Sequence, residues 1–328
     1  MDNAYYILAE KQIEIERLHI CTWEFPSESS YIEFGVEFSY ENFSENTLTL
    51  LLAAPFIKTN SPVTCLLKNL SDSANGRFIF NDVVCGIDNV GDDSRDGSIL
   101  KFERREKLTI LPCAIDVKDG IITFVVNKPN RHEGNLYFRV LIKLEDSSVA
   151  IKKSGIAQTT YIYDFKINET RNLPQEIYDI KKNHRLKICK VNNVFCLHAI
   201  PDNFAFSFVD SSKLKNIRKL ETSAFQQYLP EVKGISKDCY NIMFLKDSEK
   251  ESYSLFSICN EETIGSRQIA LAVGANILCS LLFAFSALRF VKDPTIEWYK
   301  QIPWEYYGAF VILILLCIYL FTPLKRKF

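Results

Sequence analysis

Between Ser30 and Glu145 apolar and polar positions alternate in short runs, broken by clusters of Asn, Asp, Gly and Ser. "SYIEFGVEFSY" (30–40) and "TLTLLLAAPF" (47–56) are joined by the polar turn "ENFSEN". "PVTCLLKNL", "GRFIFNDVVC", "EKLTILPCAIDV", "GIITFVVNK" and "GNLYFRVLIKLE" follow. Period-two alternation in β-branched and aromatic runs marks half-buried strands. Residues 1–148 are therefore expected to form an N-terminal antiparallel β-sandwich-like domain.

The next stretch, 156–265, mixes its periods and predicts a small α+β domain. "TTYIYDFKI" reads as a strand and "LPQEIYDIKK" as a helix. "RLKICKVNNVFCLHAI" reads as a hairpin turning at Asn192–Asn193. "NFAFSFV" precedes a helix expected from Asp210 or Ser211, with Leu214, Ile217, Leu220, Ala224, Phe225 and Tyr228 at helical spacing and Pro230 ending it. "CYNIMFLKDSEKESYSLFSIC" closes the stretch as an expected hairpin.

Beyond Arg267 the alternation disappears. Residues 268–288 carry no charge and reach about 31 Å as a helix, roughly the hydrocarbon thickness of a bilayer. A second apolar stretch covers about 306–324 around "FVILILLCIYLF", and Trp298, Tyr299, Trp304, Tyr306 and Tyr307 crowd the connection as an interfacial aromatic belt would. Residues 267–324 are thus expected to form two transmembrane helices, which makes the fold class α+β, mainly β, with a C-terminal two-helix transmembrane hairpin. The N-terminus has neither a basic n-region nor an apolar h-region. The expected localisation is a multi-pass membrane protein with the N-terminal domain and the C-terminus cytoplasmic, in the inner membrane if the source is bacterial. Lys325, Arg326 and Lys327 with Arg267 stand against Arg289, Lys292 and Lys300 in the connection, a slight excess in the same direction.

Within the first span Ala272, Asn276, Cys279, Phe283 and Ser286 recur at 4-3-4-3 spacing, flanked by Ala275, Ser280, Ala284 and Ala287. Small residues let helix backbones approach, and an amide turned to lipid is costly. The stripe is expected either to pack against the second helix of its own hairpin or to meet copies of itself, as an oligomer with a polar-lined pore face formed by Ala272, Asn276, Cys279, Ser280, Phe283 and Ser286. The second span is bulky on every side and suits contact with lipid.

Composition narrows the function classes. Ten scattered cysteines without a CxxC motif, two of them in the spans, read as free thiols in a reducing compartment. Before Arg267 there are 32 basic and 37 acidic residues, a net of −5, which argues against generic nucleic-acid binding. There is no GxGxxG, GxxxxGK[ST], GxSxG or HExxH, and the four histidines are isolated, so no enzyme is expected. "DDSRDGSILKFE" (92–103) resembles an EF-hand calcium loop, with Asp92, Ser94 and Asp96 at positions 1, 3 and 5, Gly97 at the sharp turn and Glu103 at position 12. Calcium is the one cofactor it suggests; the other reading is a solvated acidic loop between strands.

Two basic clusters stand out in the acidic region: Lys181, Lys182, Arg185, Lys187 and Lys190, then Lys213, Lys215, Arg218 and Lys219. They suit an anionic ligand, a nucleotide among the options, or an anionic leaflet, against the plainer reading of a solvated face. The layout is similar to that of bacterial membrane effectors that sense a ligand or an infection and then breach the inner membrane. The functional expectation is a membrane effector or channel-like homo-oligomer gated by an anionic ligand or a protein partner, in antiviral defence if bacterial. The rival expectation is a non-conducting anchored adaptor whose β-rich domain binds a protein.

Overall fold

The computed structural model describes residues 4–24, 29–54, 57, 61–118, 120–144, 149–155, 158–171, 173–202, 204–220, 222–230, 240–262, 266–289 and 302–321. Its strands are β1 (Ala4–Ala9), β2 (Glu14–Trp23), β3 (Tyr31–Phe38), β4 (Thr47–Ala53), β5 (Val63–Cys65), β6 (Val84–Asn89), β7 (Ser98–Phe102), β8 (Leu108–Ile110), β9 (Ala114–Lys118) and β10 (Ile121–Asn127). They continue as β11 (Asn135–Lys143), β12 (Ile151–Ser154), β13 (Gln158–Ile167), β14 (Lys187–Ile188), β15 (Lys190–Pro201), β16 (Phe204–Val209), β17 (Leu214–Lys219), β18 (Tyr240–Ser248) and β19 (Tyr253–Glu262). The helices are α1 (Leu67–Leu70), α2 (Ser73–Phe80), α3 (Gln175–Asn183), α4 (Thr222–Tyr228), α5 (Ser266–Arg289) and α6 (Trp304–Phe321). Strands make up 48% of the chain, so the protein is mainly β, as its alternation implies.

The chain divides into two compact units, one of residues 1–154 with 160–261 and the other of 155–159 with 262–328. The first unit is built on two sheets. One runs β16-β19-β13-β1-β4-β10-β9, with β12 on β13 and β14 on β1; the other runs β17-β18-β15-β2-β3-β11-β8-β7-β6, with β5 on β11. The expectation of an antiparallel sandwich needs correction here, because both sheets are mixed. β1 runs parallel to β13, β2 to β15 and β8 to β11. The two parallel pairs β1–β13 and β2–β15 join the first half of the chain to the second, so the stretch expected as a separate α+β domain supplies strands to both sheets. Central strands buried on both faces need neighbours from distant sequence, and these pairs provide them.

Inward side chains of both sheets make one continuous core: Tyr5, Leu50, Phe124 and Phe165 from the first sheet face Leu18, Phe34, Phe138, Cys196 and Met243 from the second. Phe124 and Phe138 lie 5.2 Å apart between ring centroids, Tyr5 and Phe34 5.9 Å. The outer face of the second sheet carries its own apolar layer, in which Leu67 and Leu70 of α1, Phe80 of α2 and Phe225 and Tyr228 of α4 pack with Trp23, Tyr137, Leu141 and Ile242. Helix α3 covers the outer face of the first sheet through Ile177, beside Tyr6, Leu8 and Leu186.

Four local expectations are overturned. "GRFIFNDVVC" was expected as a strand, but the Asp72 carboxylate caps α2 at the amides of Ala74 and Asn75 and Asn81 ends it at φ 50°, leaving β6 to begin at Val84. Asn192–Asn193 form no turn: β15 runs through them in register with β2, and their side-chain amides donate to the Glu16 carboxylate and the Glu16 carbonyl. The helix expected from Asp210 is strand β17 followed by the short α4. A lysine-rich strand at the sheet edge resists further pairing, and only Phe225 and Tyr228 keep a helical burial pattern. Finally, β18 and β19 are not a hairpin; each joins a different sheet, so the chain between them crosses the sandwich.

In the second unit α5 contains the one stretch, Ile269–Ala287, that among the described residues is long and apolar enough to cross a membrane, with mean hydropathy 2.1 and 6% of it buried. Helix α6 has a shorter apolar stretch, Trp304–Leu316; the expected continuation to residue 324 lies outside the described residues.

His198 sits in the inner core, its Nδ1 2.7 Å from Thr22 Oγ1 and its Nε2 3.5 Å from Cys196 Sγ, between the rings of Tyr163 and Phe165. Burial pushes its pKa down to about 3. The unfolded chain takes up a proton near the ordinary histidine pKa of about 6.5 and the folded chain does not, so this stability is complete above about pH 6.5 and lost as pH falls. The expected slope is about 1.4 kcal/mol per pH unit between about pH 6.5 and 5. Denaturant unfolding of the detergent-solubilised protein at pH 7.5 and 5.0 checks it, and His198→Met is expected to make the profile shallower by that amount.

Candidate functional site

The two basic clusters do not converge, and the first is itself divided between α3, β14 of the first sheet and β15 of the second. Lys181 and Lys182 end α3, and Arg185 and Lys187 follow it beside β14, which pairs with β1 of the first sheet. Lys190 is paired with Glu14 at 2.7 Å. Lys213, Lys215, Arg218 and Lys219 belong to the edge of the second sheet at β17. Lys213 is spent on Asp210 at 3.0 Å and Asp247 at 3.9 Å, and Lys219 stands 4.0 Å from Asp202. No single cradle holds all eight proposed ligand residues.

The calcium-like loop does not close. Asp92, Ser94 and Asp96 lie in a tight turn where Asp96 accepts the Asp93 amide and Arg95 pairs with Asp93 at 2.6 Å. Strand β7 then carries the chain away at about 3.3 Å per residue, so Glu103 is delivered to the far end of the strand, where its backbone amide donates to the Val83 carbonyl. Among the described residues no group of three or more His, Cys, Asp and Glu is placed to hold a metal.

What the fold does assemble is a cationic, aromatic-lined cavity of about 250 Å³ on the outer face of the second sheet. The floor comes from alternate residues of adjacent strands: Arg17, His19, Cys21 and Trp23 of β2, Phe195 and Leu197 of β15, Ile242 and Phe244 of β18, Asn216 and Arg218 of β17, and Arg139 of β11. A bulge between Ile15 and Arg17 sets the phase of β2, turning its polar residues outward while Leu18 and Ile20 point into the core. The walls are Phe78, Ile79, Phe80 and Asn81, held there by the capped end of α2, and Arg105 from the turn after β7. Phe195 and Phe244 lie 5.9 Å apart with planes only 18° from parallel. A more open recess of about 590 Å³ adjoins it, sharing Phe78, Asn81 and Arg218 and adding Arg77, Arg104 and Lys219.

Beneath the cavity lies a buried polar network. The Glu33 carboxylate accepts from Trp23 Nε1 at 2.6 Å, from Tyr228 Oη at 2.8 Å and from Arg139 Nε. Arg139 also donates to Tyr137 Oη at 3.0 Å and to Cys21 Sγ. Burial pushes the Cys21 thiol and the Tyr137 phenol up to about 12, so both stay protonated, and among the described residues Glu33 is the carboxylate that pairs with Arg139. Tyr137 Oη lies 3.0 Å from His19 Nδ1, and burial first, then Arg139, Arg105 and Arg17, keep that imidazole neutral. Gly35 is needed at this point, because a Cβ there would come within 1.9 Å of Tyr137 Oη. Alongside, Glu37 receives Asn135 Nδ2 at 3.0 Å and is shared between Arg105 at 3.4 Å and Arg17 at 3.8 Å.

Of the residues expected to bind an anion, only Arg218 and Lys219 line these cavities. Sequence reading missed Arg17, Arg105 and Arg139, although a signal existed: Glu33, Glu37 and Arg139 interrupt strands that are otherwise apolar. Charges inside a strand occupy its non-core face or pair with one another.

The second unit holds the other candidate site. On α5, Ala272, Ala275, Asn276, Cys279 and Phe283 line a groove of about 710 Å³ against α6, whose Tyr306, Ala309, Phe310 and Leu313 form the far wall. Cys279 Sγ lies 3.8 Å from the Ala309 carbonyl oxygen and Phe283 packs on Tyr306 at 5.0 Å. Ser286 is fully buried, while Asn276 and Ser280 remain exposed, with Ser280 Oγ bonded back to the Asn276 carbonyl at 2.9 Å. The stripe is therefore divided between the hairpin mate and an open side.

Replacing Glu33 by Gln leaves the Arg139 guanidinium buried and unpaired, which costs about 3–5 kcal/mol in such sites. The expected outcome is a corresponding loss in the unfolding midpoint, partly restored by a second change, Arg139→Met, measured by thermal unfolding in detergent. No family model matches the chain, and no curated protein matches it.

Proposed function

We propose that this chain is a membrane effector: its β-rich unit senses an anionic ligand, and its C-terminal helices assemble with those of other copies and open or perturb the bilayer. The observation that carries this reading is helix α5, whose Ile269–Ala287 stretch is only 6% buried and starts within a few residues of the end of β19. Ile269, Leu271, Val273, Ile277, Leu281 and Phe285 are all about half exposed along it. An apolar surface of that length calls for lipid or for other helices. Helix α6, with Phe310, Val311, Leu313 and Leu315 similarly exposed, serves as the second, lipid-facing span. A two-pass topology with both ends cytoplasmic puts the sensor on the side where an intracellular ligand is made, an arrangement suited to antiviral defence in a bacterium.

Asn276 supports oligomerisation over a closed hairpin. With α6 already packed at Cys279 and Phe283, the Asn276 side chain, in the groove that α6 borders, is still exposed. A partner amide or carbonyl on a second α5 would satisfy it, worth about 0.6–2 kcal/mol per hydrogen bond. The second reading, an anchored adaptor that conducts nothing, draws on the same stripe: Cys279 and Phe283 already meet α6 within one chain.

Induced expression should depolarise cells, read with a voltage-sensitive dye, and Asn276→Leu should abolish depolarisation while leaving the protein in the carbonate-resistant membrane fraction. Depolarisation that is absent, or unchanged in Asn276→Leu, leaves the adaptor reading.

A further inference from the structure

Four guanidiniums reach the enclosed cavity on the second sheet: Arg17, Arg105, Arg139 and Arg218. Its lining contains no carboxylate. Glu33, under the floor, neutralises Arg139, and Glu37 is divided between Arg17 and Arg105. Arg218 is held only by Asn81 Oδ1 at 3.4 Å, and no carboxylate pairs with it among the described residues. The balance is two positive charges without a counter-ion, in a site whose other walls are aromatic. Guanidinium forks prefer phosphate and carboxylate oxygens, and near-parallel rings such as Phe195 and Phe244 offer a stacking platform for a flat π-system.

Volume sharpens the choice. The enclosed cavity, at about 250 Å³, falls just under the roughly 300–1,000 Å³ usual for small-molecule sites. It opens at Phe78, Asn81 and Arg218 into the recess of about 590 Å³. The recess is polar and basic, with Arg77, Arg104 and Lys219 set against Asp82, whose carboxylate already accepts the backbone amides of Val83 and Arg105. An aromatic chamber edged by arginines and joined to a basic vestibule at Phe78, Asn81 and Arg218 matches a ligand with a planar aromatic end and a phosphate end.

We infer that this paired cavity is a nucleotide site: the base lies in the enclosed chamber against Phe195 and Phe244, and the phosphate meets Arg218 at the mouth, with Arg77 and Arg104 reaching any further phosphates. This deepens the effector reading by naming the ligand class of its sensor, and it relocates the anion site from the lysine clusters to arginines of β2, β17 and the α2 end. A dianionic monophosphate would balance the two uncompensated charges.

The test is binding of AMP, GMP, CMP, UMP and their triphosphates to the detergent-solubilised full chain by calorimetry, with adenosine, guanosine, cytidine, uridine and inorganic phosphate alongside. At least one nucleotide is expected to bind at least tenfold tighter than its nucleoside and than phosphate. Arg218→Gln and, separately, Phe244→Ala are each expected to weaken it about 10- to 100-fold, as loss of a charge-assisted hydrogen bond or of a stacked ring does. Arg218 is on an exposed edge strand, so an unchanged melting temperature shows that its variant is folded. No nucleotide binding below about 1 mM, phosphate binding as tightly as the nucleotides, or wild-type affinity in both variants overturns the assignment. Binding is read apart from depolarisation, so a nucleotide that binds without depolarising cells removes the effector reading and keeps the site, while depolarisation without nucleotide binding does the reverse.

Discussion

The Arg139–Glu33 ion pair is the contact around which the outer face of the second sheet is organised. Glu33 lies on β3 and Arg139 on the neighbouring β11, and both are buried. Desolvating two ions is expensive, and their attraction offsets it only when the remaining lone pairs and protons find partners. Here they do, through Trp23 of β2, Tyr228 of α4, Tyr137 of β11 and the Cys21 thiol. The pair thus ties three strands and a helix into one arrangement. Its contribution lies in specificity, since an apolar substitute would pack here without fixing where α4 and Tyr137 sit.

From that pair follows the depth of the cavity. Tyr137 lies over Gly35, the one position on β3 with no side chain to displace it, and its phenol passes the polar contact on to His19. Glu37, two residues further along β3, holds Arg17 and Arg105 toward the rim. Arg17, Arg105 and Arg139 are thus positioned by carboxylates buried beneath them. They need not be long, mobile surface side chains, and a ligand meeting them would face little of the ordering cost that lysines on a flexible face impose.

The second unit obeys a different constraint. Its two helices expose apolar side chains around most of their circumference, and the groove between them is lined by the small residues of α5. Cys279 and Phe283 meet α6 inside the hairpin, whereas Asn276 stays exposed, so the amide that is most costly in hydrocarbon is also the one still available for association.

The mainly β character, α3 and the apolar α5 were all legible in the sequence, because alternation, helical spacing and hydropathy are local properties. Where local signals competed, they misled: "GRFIF" alternates like a strand but is capped into a helix by Asp72, and "LKNIRK" carries helical spacing yet completes a sheet edge. Asn192–Asn193 has turn chemistry, yet its amides are taken up by Glu16 on the neighbouring strand. The cavity was beyond such signals. Arg17, Arg105, Arg139 and Arg218 are spread over some 200 residues and become neighbours only because β2 pairs with β3 and β15, and β15 with β18. Sequence alone determined the mainly β character and the membrane-compatible apolar stretch, since alternation and hydropathy are written residue by residue. Tertiary structure decided which charges share one low-dielectric pocket, since that depends on strand order and on parallel pairings between distant parts of the chain.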